Sequence, residues 1–203
     1  MLPVITLSRQ FGSHGHEVGI KLAEKLGVKY YDKELIAMAA KQSGLSEEVF
    51  NAADEKAGNS LLYSMVMGNF PFGAHFTGVN EMPINDKLFI LQTDLIKKAA
   101  DEGPCVIIGR CGGYILRDYK NVFSVFIHAP KEQRAEWAVK TGQVEPKKSL
   151  DFIAKKDKQR ANYYNFYSNK RWDDLNNYNL TIDTGIFSVD DAVSIIMSAV
   201  SRL

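Results

Sequence analysis

The sequence predicts an α/β domain in three layers, a five-stranded parallel sheet flanked by helices. Three observations predict it. Short apolar runs of four to six residues alternate with longer stretches whose apolar residues recur at helical spacing. One run, Cys105-Val106-Ile107-Ile108, is apolar throughout, the mark of a central parallel strand covered on both faces. The first run, opening at Val4, passes through a glycine-containing turn into a helical stripe.

Taken in order, Val4 to Leu7 open the first strand, and Gly12, Gly15 and Gly19 punctuate the loop and helix start beyond it. Ile20, Leu22, Ala23 and Leu26 set the first helix, and Gly27 stands at its C-cap position. Val28 to Asp32 form a second strand, with Asp32 as N-cap for a helix over 33–43. Gly44 ends that helix, and Ser46 starts another that runs to Lys56. Residues 58–83 are different in kind, with four Gly, two Pro, Met65, Met67, Phe70, Phe72 and Phe76. This insertion has two readings: a substrate lid, or a hydrophobic loop packed on the body or on a second subunit. Leu88, Leu91, Leu95, Ile96 and Ala99 give a helix over 86–100, which Gly103-Pro104 breaks. The Cys105 strand ends in Gly109-Arg110-Cys111-Gly112-Gly113, followed by a helix-like piece over 114–117. Val122 to Ile127 form the next strand, and Ala129-Pro130 opens a helix through Lys140. Gly142 and Pro146 bound a short connection; residues 150–167 are helical, 179–183 a strand and 189–200 the last helix.

At 203 residues the chain makes one domain with a sizeable core. With 45% hydrophobic and 24% charged residues it reads as a globular protein, without a run of membrane-span length. A net charge of +1 gives no reason to expect a nucleic-acid or bilayer partner. The opening goes straight into a strand, and two cysteines make no disulfide framework, so the expected location is cytoplasmic. The four His (14, 16, 75 and 128) and the two Cys lack zinc spacing. Charge is uneven: residues 131–172 hold eleven basic and five acidic residues, a net +6, so the remainder carries −5. That segment is either a solvated helical face or one that closes over a polyanion.

In a parallel sheet of this kind ligands lie outside the carboxyl ends of the strands. Those ends carry the first glycine loop, Asp32, Gly109-Arg110, Ala129-Pro130 and Asp183-Thr184. A phosphate-binding loop aims successive backbone N–H groups at oxygens from a helix N-terminus. Gly12 to Gly15 permit that backbone, Ser13 adds a donor, and Gly19 lets the helix pack closely. The usual loop reads G-x-x-x-x-G-K-[ST], whereas here the lysine is absent and Glu17 holds the hydroxyl position. Arg9, His16 or the basic segment are the sources of replacement charge, with Arg9 favoured because it sits on the loop. Ser13 and Glu17 are the candidate metal ligands.

The order of pieces resembles the nucleoside monophosphate kinases, and the details resemble the cytidylate kinase-like family. Members begin S-R-x-x-G-S-G-G-x-E-I-G, against Ser8-Arg9-Gln10-Phe11-Gly12-Ser13-His14-Gly15-His16-Glu17-Val18-Gly19 here, with His14 where a glycine is expected. The likeness continues at 31–36, at Val106 to Arg110, and at Ala129-Pro130 with Arg134. It continues further at Asp157 to Arg160 with Tyr163-Tyr164, and at 177–184. It covers nearly the whole chain apart from 58–83.

The resemblance implies a P-loop NTPase-like fold as a single domain over 1–203. Its core would be 1–57, 84–130 and 173–203, with an acceptor-side insertion at 58–83 and a helical, basic lid at 131–172. It implies phosphoryl transfer from ATP, with Mg²⁺, to a nucleoside monophosphate such as CMP or to a related small phosphate- or hydroxyl-bearing acceptor. Gly12, Ser13, His14, Gly15, His16 and Glu17 would hold the donor phosphates. Asp32, Gly109 and Arg110 would serve the acceptor, Arg110 with a bidentate fork. Arg9, Arg134 and Arg160 would be the catalytic cations, with Lys156 beside them. In cytidylate kinases the comparable Gly-Arg-Asp serves the acceptor, and here Cys111 replaces the Asp. Asp157 and Arg160 share a helix face at i, i+3. The expected assembly is a monomer or homodimer, with neither nucleic acid nor membrane as partner. A competing reading is a nucleotide-binding regulatory module that has lost transfer, motivated by the absent lysine, Glu17 and His14.

Overall fold

The computed structural model describes residues 2–33 and 84–203. The helices expected beyond Lys33 and the insertion at 58–83 lie outside the described residues.

Five parallel strands make one sheet. They are β1 (Val4–Arg9), β2 (Lys29–Tyr31), β3 (Cys105–Ile108), β4 (Val122–His128) and β5 (Leu180–Asp183), in the spatial order β2-β3-β1-β4-β5. The middle position belongs to β1, not to the Cys105 strand, which lies beside it between β1 and β2. Both are interior, and the all-apolar run of β3 suits either place because helices cover each face.

The helices are α1 (Gly15–Leu26), α2 (Ile84–Glu102), α3 (Gly112–Ile115), α4 (Lys131–Lys140), α5 (Ser149–Ser168) and α6 (Val189–Val200). Alternate strand residues feed two cores. Ile5, Leu7, Val106 and Ile108 pack with Val18 and Leu22 of α1 and Val193 and Ile196 of α6. On the other face Ile107 and Phe126 pack with Leu88 and Ile96 of α2, Ile115 of α3 and Tyr164 of α5. This is the three-layer arrangement that the alternation of elements predicts. Several boundaries move: α2 is longer than the expected 86–100, β2 is shorter than the expected 28–32, and the piece expected at 114–117 is a single turn, Gly112–Ile115. Among the described residues no helix is long and apolar enough to cross a membrane.

Two features place the site. A β-carbon on Gly19 would fall 2.6 Å from Cδ1 of Ile108, so the glycine lets α1 lie tight on β3. A third, small core joins α4 and α5 through Ala135, Ala138 and Ile153, and its partners include Trp137, Phe152 and Phe11 of the first loop. The basic segment is therefore packed onto the glycine loop rather than hung beside it.

Candidate functional site

The loop between β1 and α1 has its shape fixed by main-chain contacts. The Gln10 N–H donates to the Ile127 carbonyl at 3.0 Å, while Gln10 Oε1 accepts from the Ala129 N–H at 3.3 Å. Gly12 has φ 76°, and a β-carbon there would lie 2.9 Å from the Arg134 carbonyl oxygen, so the loop runs directly against α4. His14 has φ 57° and caps α1, which explains why a glycine suits this position. Thr184 Oγ1 lies 2.8 Å from the Ser13 carbonyl oxygen and 2.9 Å from that of His128, joining the end of β5 to the loop. Gly15 is buried where any β-carbon would collide with the Arg9 side chain.

The loop's polar side chains turn to structural partners. Ser13 is fully buried, its hydroxyl 2.9 Å from the Gln10 carbonyl oxygen and 3.2 Å from that of Ile127. His14 Nδ1 meets Glu17 Oε2 at 3.1 Å on the exposed side of α1. His16 Nε2 meets Oδ2 of buried Asp32 at 2.9 Å, linking the loop to the end of β2. Ser13 and Glu17 thus do not fit a resident metal: one hydroxyl is spent on carbonyls, and one carboxylate faces outward. Among the described residues no group of three His, Cys, Asp or Glu side chains could hold a metal ion.

The turn after β3 is the more strained of the two. Gly109, Arg110 and Cys111 have φ 79°, 56° and 56°, three consecutive residues in the left-handed region. For the two that are not glycine this costs about 1–2 kcal/mol each. The Gly109 N–H donates to the Leu7 carbonyl at 2.7 Å, and the Gly112 N–H closes the turn on the Gly109 carbonyl at 3.0 Å. A β-carbon at Gly109 would strike the Arg9 guanidinium, so Arg9 crosses from β1 to this turn. Strain at adjacent residues that displays an arginine is the kind of outlier that marks a working site.

Between loop, turn and α5 lies a cavity of about 240 Å³. Arg9, Lys33, Arg110, Lys156 and Arg160 line it, and no carboxylate lies among its described lining residues. Arg160 donates to the Arg9 carbonyl at 2.8 Å, and its guanidinium stands 5.5 Å from the Phe11 ring centre. The Arg110 guanidinium lies 5.9 Å from the Tyr163 ring centre. Cys111 and Tyr164 add no negative charge at neutral pH. Burial pushes the Cys111 thiol far up, against the opposing pull of Arg110, and pushes the Tyr164 phenol up to about 12. Arg9, Arg110 and Arg160 therefore come together here.

Arg134 does not line this cavity. Its side chain is 6% exposed and points into the wall, bonded to Asp157 at 2.6 Å, to the Ala129 carbonyl at 2.9 Å and to the Phe11 carbonyl at 3.0 Å. Asp157 in turn accepts the Phe11 N–H at 2.7 Å. The i, i+3 spacing of Asp157 and Arg160 gave no sign of this partner. Lys33 is a lining residue to which the sequence assigned no role, although it lies in the matched 31–36 stretch directly after Asp32.

The model of the cytidylate kinase-like family matches residues 4–186. The chain is 26% identical to a protein of Pyrococcus horikoshii named cytidylate kinase, a likeness covering 98% of this chain and 89% of that one. Among solved structures, an uncharacterized protein from Eubacterium ventriosum shares 28% of its sequence with a TM-score of 0.74, covering 99% of both chains. A shikimate kinase from Bacteroides thetaiotaomicron superposes with a TM-score of 0.59 over 99% of both chains at 12% identity, a likeness of fold.

Proposed function

This chain belongs to the cytidylate kinase-like family, and from that premise we propose that it is an ATP-dependent kinase acting on a nucleoside monophosphate such as CMP, or on a related small acceptor. The observation that carries the proposal is the cavity itself: five cationic side chains and, among the described residues, no carboxylate. Such a lining favours an anionic ligand.

Phosphoryl transfer needs positioning and charge neutralisation more than covalent work from the protein. The backbone of Gly12 to His16, at the start of α1, receives the donor phosphates. Arg110 presents its fork to the acceptor's anionic group from the strained turn, where it is held before any ligand arrives. Arg9, Lys156 and Arg160 surround the position between donor and acceptor and supply the charge that the absent loop lysine would bring. Asp32, at the end of β2, lies toward the acceptor side and orients His16. Mg²⁺ enters on the phosphates of the MgATP substrate rather than as an ion held by Ser13 and Glu17. Beside the loop, Ile186 and Phe187 are exposed after β5 and offer an apolar edge for the donor's base. A cytoplasmic location, and a monomer or homodimer without nucleic-acid or membrane partners, accord with this reading.

The test is a coupled assay for ADP release with ATP and a panel of CMP, UMP, dCMP, AMP and small phosphate- or hydroxyl-bearing acceptors. Turnover with at least one acceptor is expected. Absence of turnover with every acceptor, in folded protein that still binds ATP, would replace the kinase with a nucleotide-binding regulatory module.

A further inference from the structure

Phe11 is the residue through which the basic segment holds the loop. Its ring packs edge-on against Trp137 and Phe152, with ring centres at 5.8 and 5.4 Å, inside the small core that joins α4 to α5. Its two main-chain groups are both gripped by charged side chains of that segment. The N–H donates to Asp157 Oδ1 at 2.7 Å, and the carbonyl accepts from Arg134 Nη1 at 3.0 Å. The same Arg134 nitrogen bonds Asp157 Oδ2 at 2.6 Å, closing the ring of contacts.

We propose that Asp157 is a positioning residue for the phosphate loop: with Arg134 it sets the register between the loop backbone and the cavity cations Lys156 and Arg160. The inference rests on the kinase reading above and deepens it. Two arguments carry it. The first is energetic. A nearly buried ion pair is a poor source of stability, because desolvating both charges offsets most of their attraction. Both charges here also bond the main chain of one loop residue, Phe11. The second argument is geometric. Lys156 and Arg160 flank Asp157 on α5, and Arg160 bonds the carbonyl of Arg9, two residues before Phe11. One stretch of helix thus fixes the loop at residues 9 and 11 and presents two cavity cations. Shifting the Asp157 contact moves the cations relative to the donor phosphates. Hence α4 and α5 do not swing away from the loop as a body while this contact holds.

The experiment compares wild type with Asp157→Asn, Asp157→Ala and Arg134→Lys, each checked for folding by circular dichroism. Three quantities are read: ATP affinity by calorimetry, kcat and KM for the best acceptor, and exchange of the Phe11 amide in protein labelled with ¹⁵N-phenylalanine. Misplacing reacting groups by an ångström costs up to about 100-fold in rate. A loss of that order in kcat/KM is expected for Asp157→Ala, with a smaller loss for Asp157→Asn, which keeps an acceptor for the Phe11 N–H. Faster Phe11 exchange should accompany both. Variants that melt earlier but keep wild-type ATP affinity, kcat/KM and Phe11 protection would reduce the pair to a structural contact and overturn the proposal. If wild type neither binds nor turns over ATP, the kinase reading fails, and Phe11 exchange alone decides: unchanged protection in Asp157→Ala overturns the positioning role, and lost protection in an otherwise native spectrum upholds it.

Discussion

The loop after β1 and the turn after β3 stand side by side at the carboxyl end of the sheet, and they solve the same problem in opposite ways. Both use left-handed backbone, at Gly12 and His14 in one and at Gly109, Arg110 and Cys111 in the other. In the loop the side chains of Phe11, Ser13, His14 and His16 are spent on the core, carbonyls, Glu17 and Asp32. What the loop has left to offer a ligand is its backbone. In the turn the backbone closes on itself, and the offering is the Arg110 side chain. A site can thus lack the usual loop lysine and still carry charge, because side chains from the end of β1, the turn after β3 and α5 supply it. The contrast also says where mutations should hurt.

The largest effect is expected at Arg110. Arg110→Ala removes the fork that holds the acceptor and should lower kcat/KM about 10²–10³-fold, the range for loss of one preorganised charge donor. Arg110→Lys keeps the charge without the planar fork and should fall between alanine and wild type. Any change in melting temperature should be small beside the kinetic loss, because the side chain lines a cavity. Steady-state kinetics beside thermal melts would check this. A variant that loses stability but keeps kcat/KM would mean that the turn is only a structural corner.

Much of this architecture was legible before the structure. Short apolar runs and helical spacing placed the described strands and helices to within a few residues, because burial on one or both faces dictates those patterns. Glycine positions pointed to the loop and the turn, since Gly12 and Gly109 need left-handed backbone and Gly15 and Gly19 need contact with a neighbouring side chain. Strand order was not legible: β1 and β3 are both apolar enough for the centre, and only the pairing register tells them apart. Side-chain direction was not legible either. Arg134 and Arg160 look alike in the sequence, yet Arg134 is bonded into the wall and Arg160 lines the cavity. Ser13 reads as an available hydroxyl until the carbonyls of Gln10 and Ile127 are seen around it. Contacts such as those of Arg134 with Phe11 and of Ser13 with Ile127 are long-range facts, set by residues more than a hundred positions away.

The middle effect comes from putting the lysine back. Gly15 and His16 are adjacent, but they are not equivalent hosts. A side chain at Gly15 would displace Arg9, so Gly15→Lys should cost about 1–3 kcal/mol of stability and remove activity with it. His16 is half exposed and accepts a longer side chain. His16→Lys should keep the fold, give up the imidazole contact with Asp32 and tighten ATP binding about tenfold or more through one new charge-assisted hydrogen bond. Nucleotide titration of both variants, with melts, separates them. Wild-type behaviour in Gly15→Lys would mean that Arg9 is not held where the loop and turn meet.

The smallest effect should come from His14, and it tests the claim that the loop works through backbone alone. His14→Gly relieves a left-handed residue worth about 1 kcal/mol. Glycine's larger unfolded-state entropy takes back about 0.5–1 kcal/mol, so stability should change little. The lost contacts are the exposed pair with Glu17 and an edge-on contact with Trp137, whose ring centre is 5.8 Å away. Neither contact partner lines the cavity. Losing a pair of that kind is worth about 0.2–0.5 kcal/mol, so KM for ATP should shift by less than about threefold. A tenfold rise in KM with an unchanged melting temperature would place the imidazole on the donor phosphates. The loop would then supply side-chain charge as the turn does, and the division of labour between the two regions would fail.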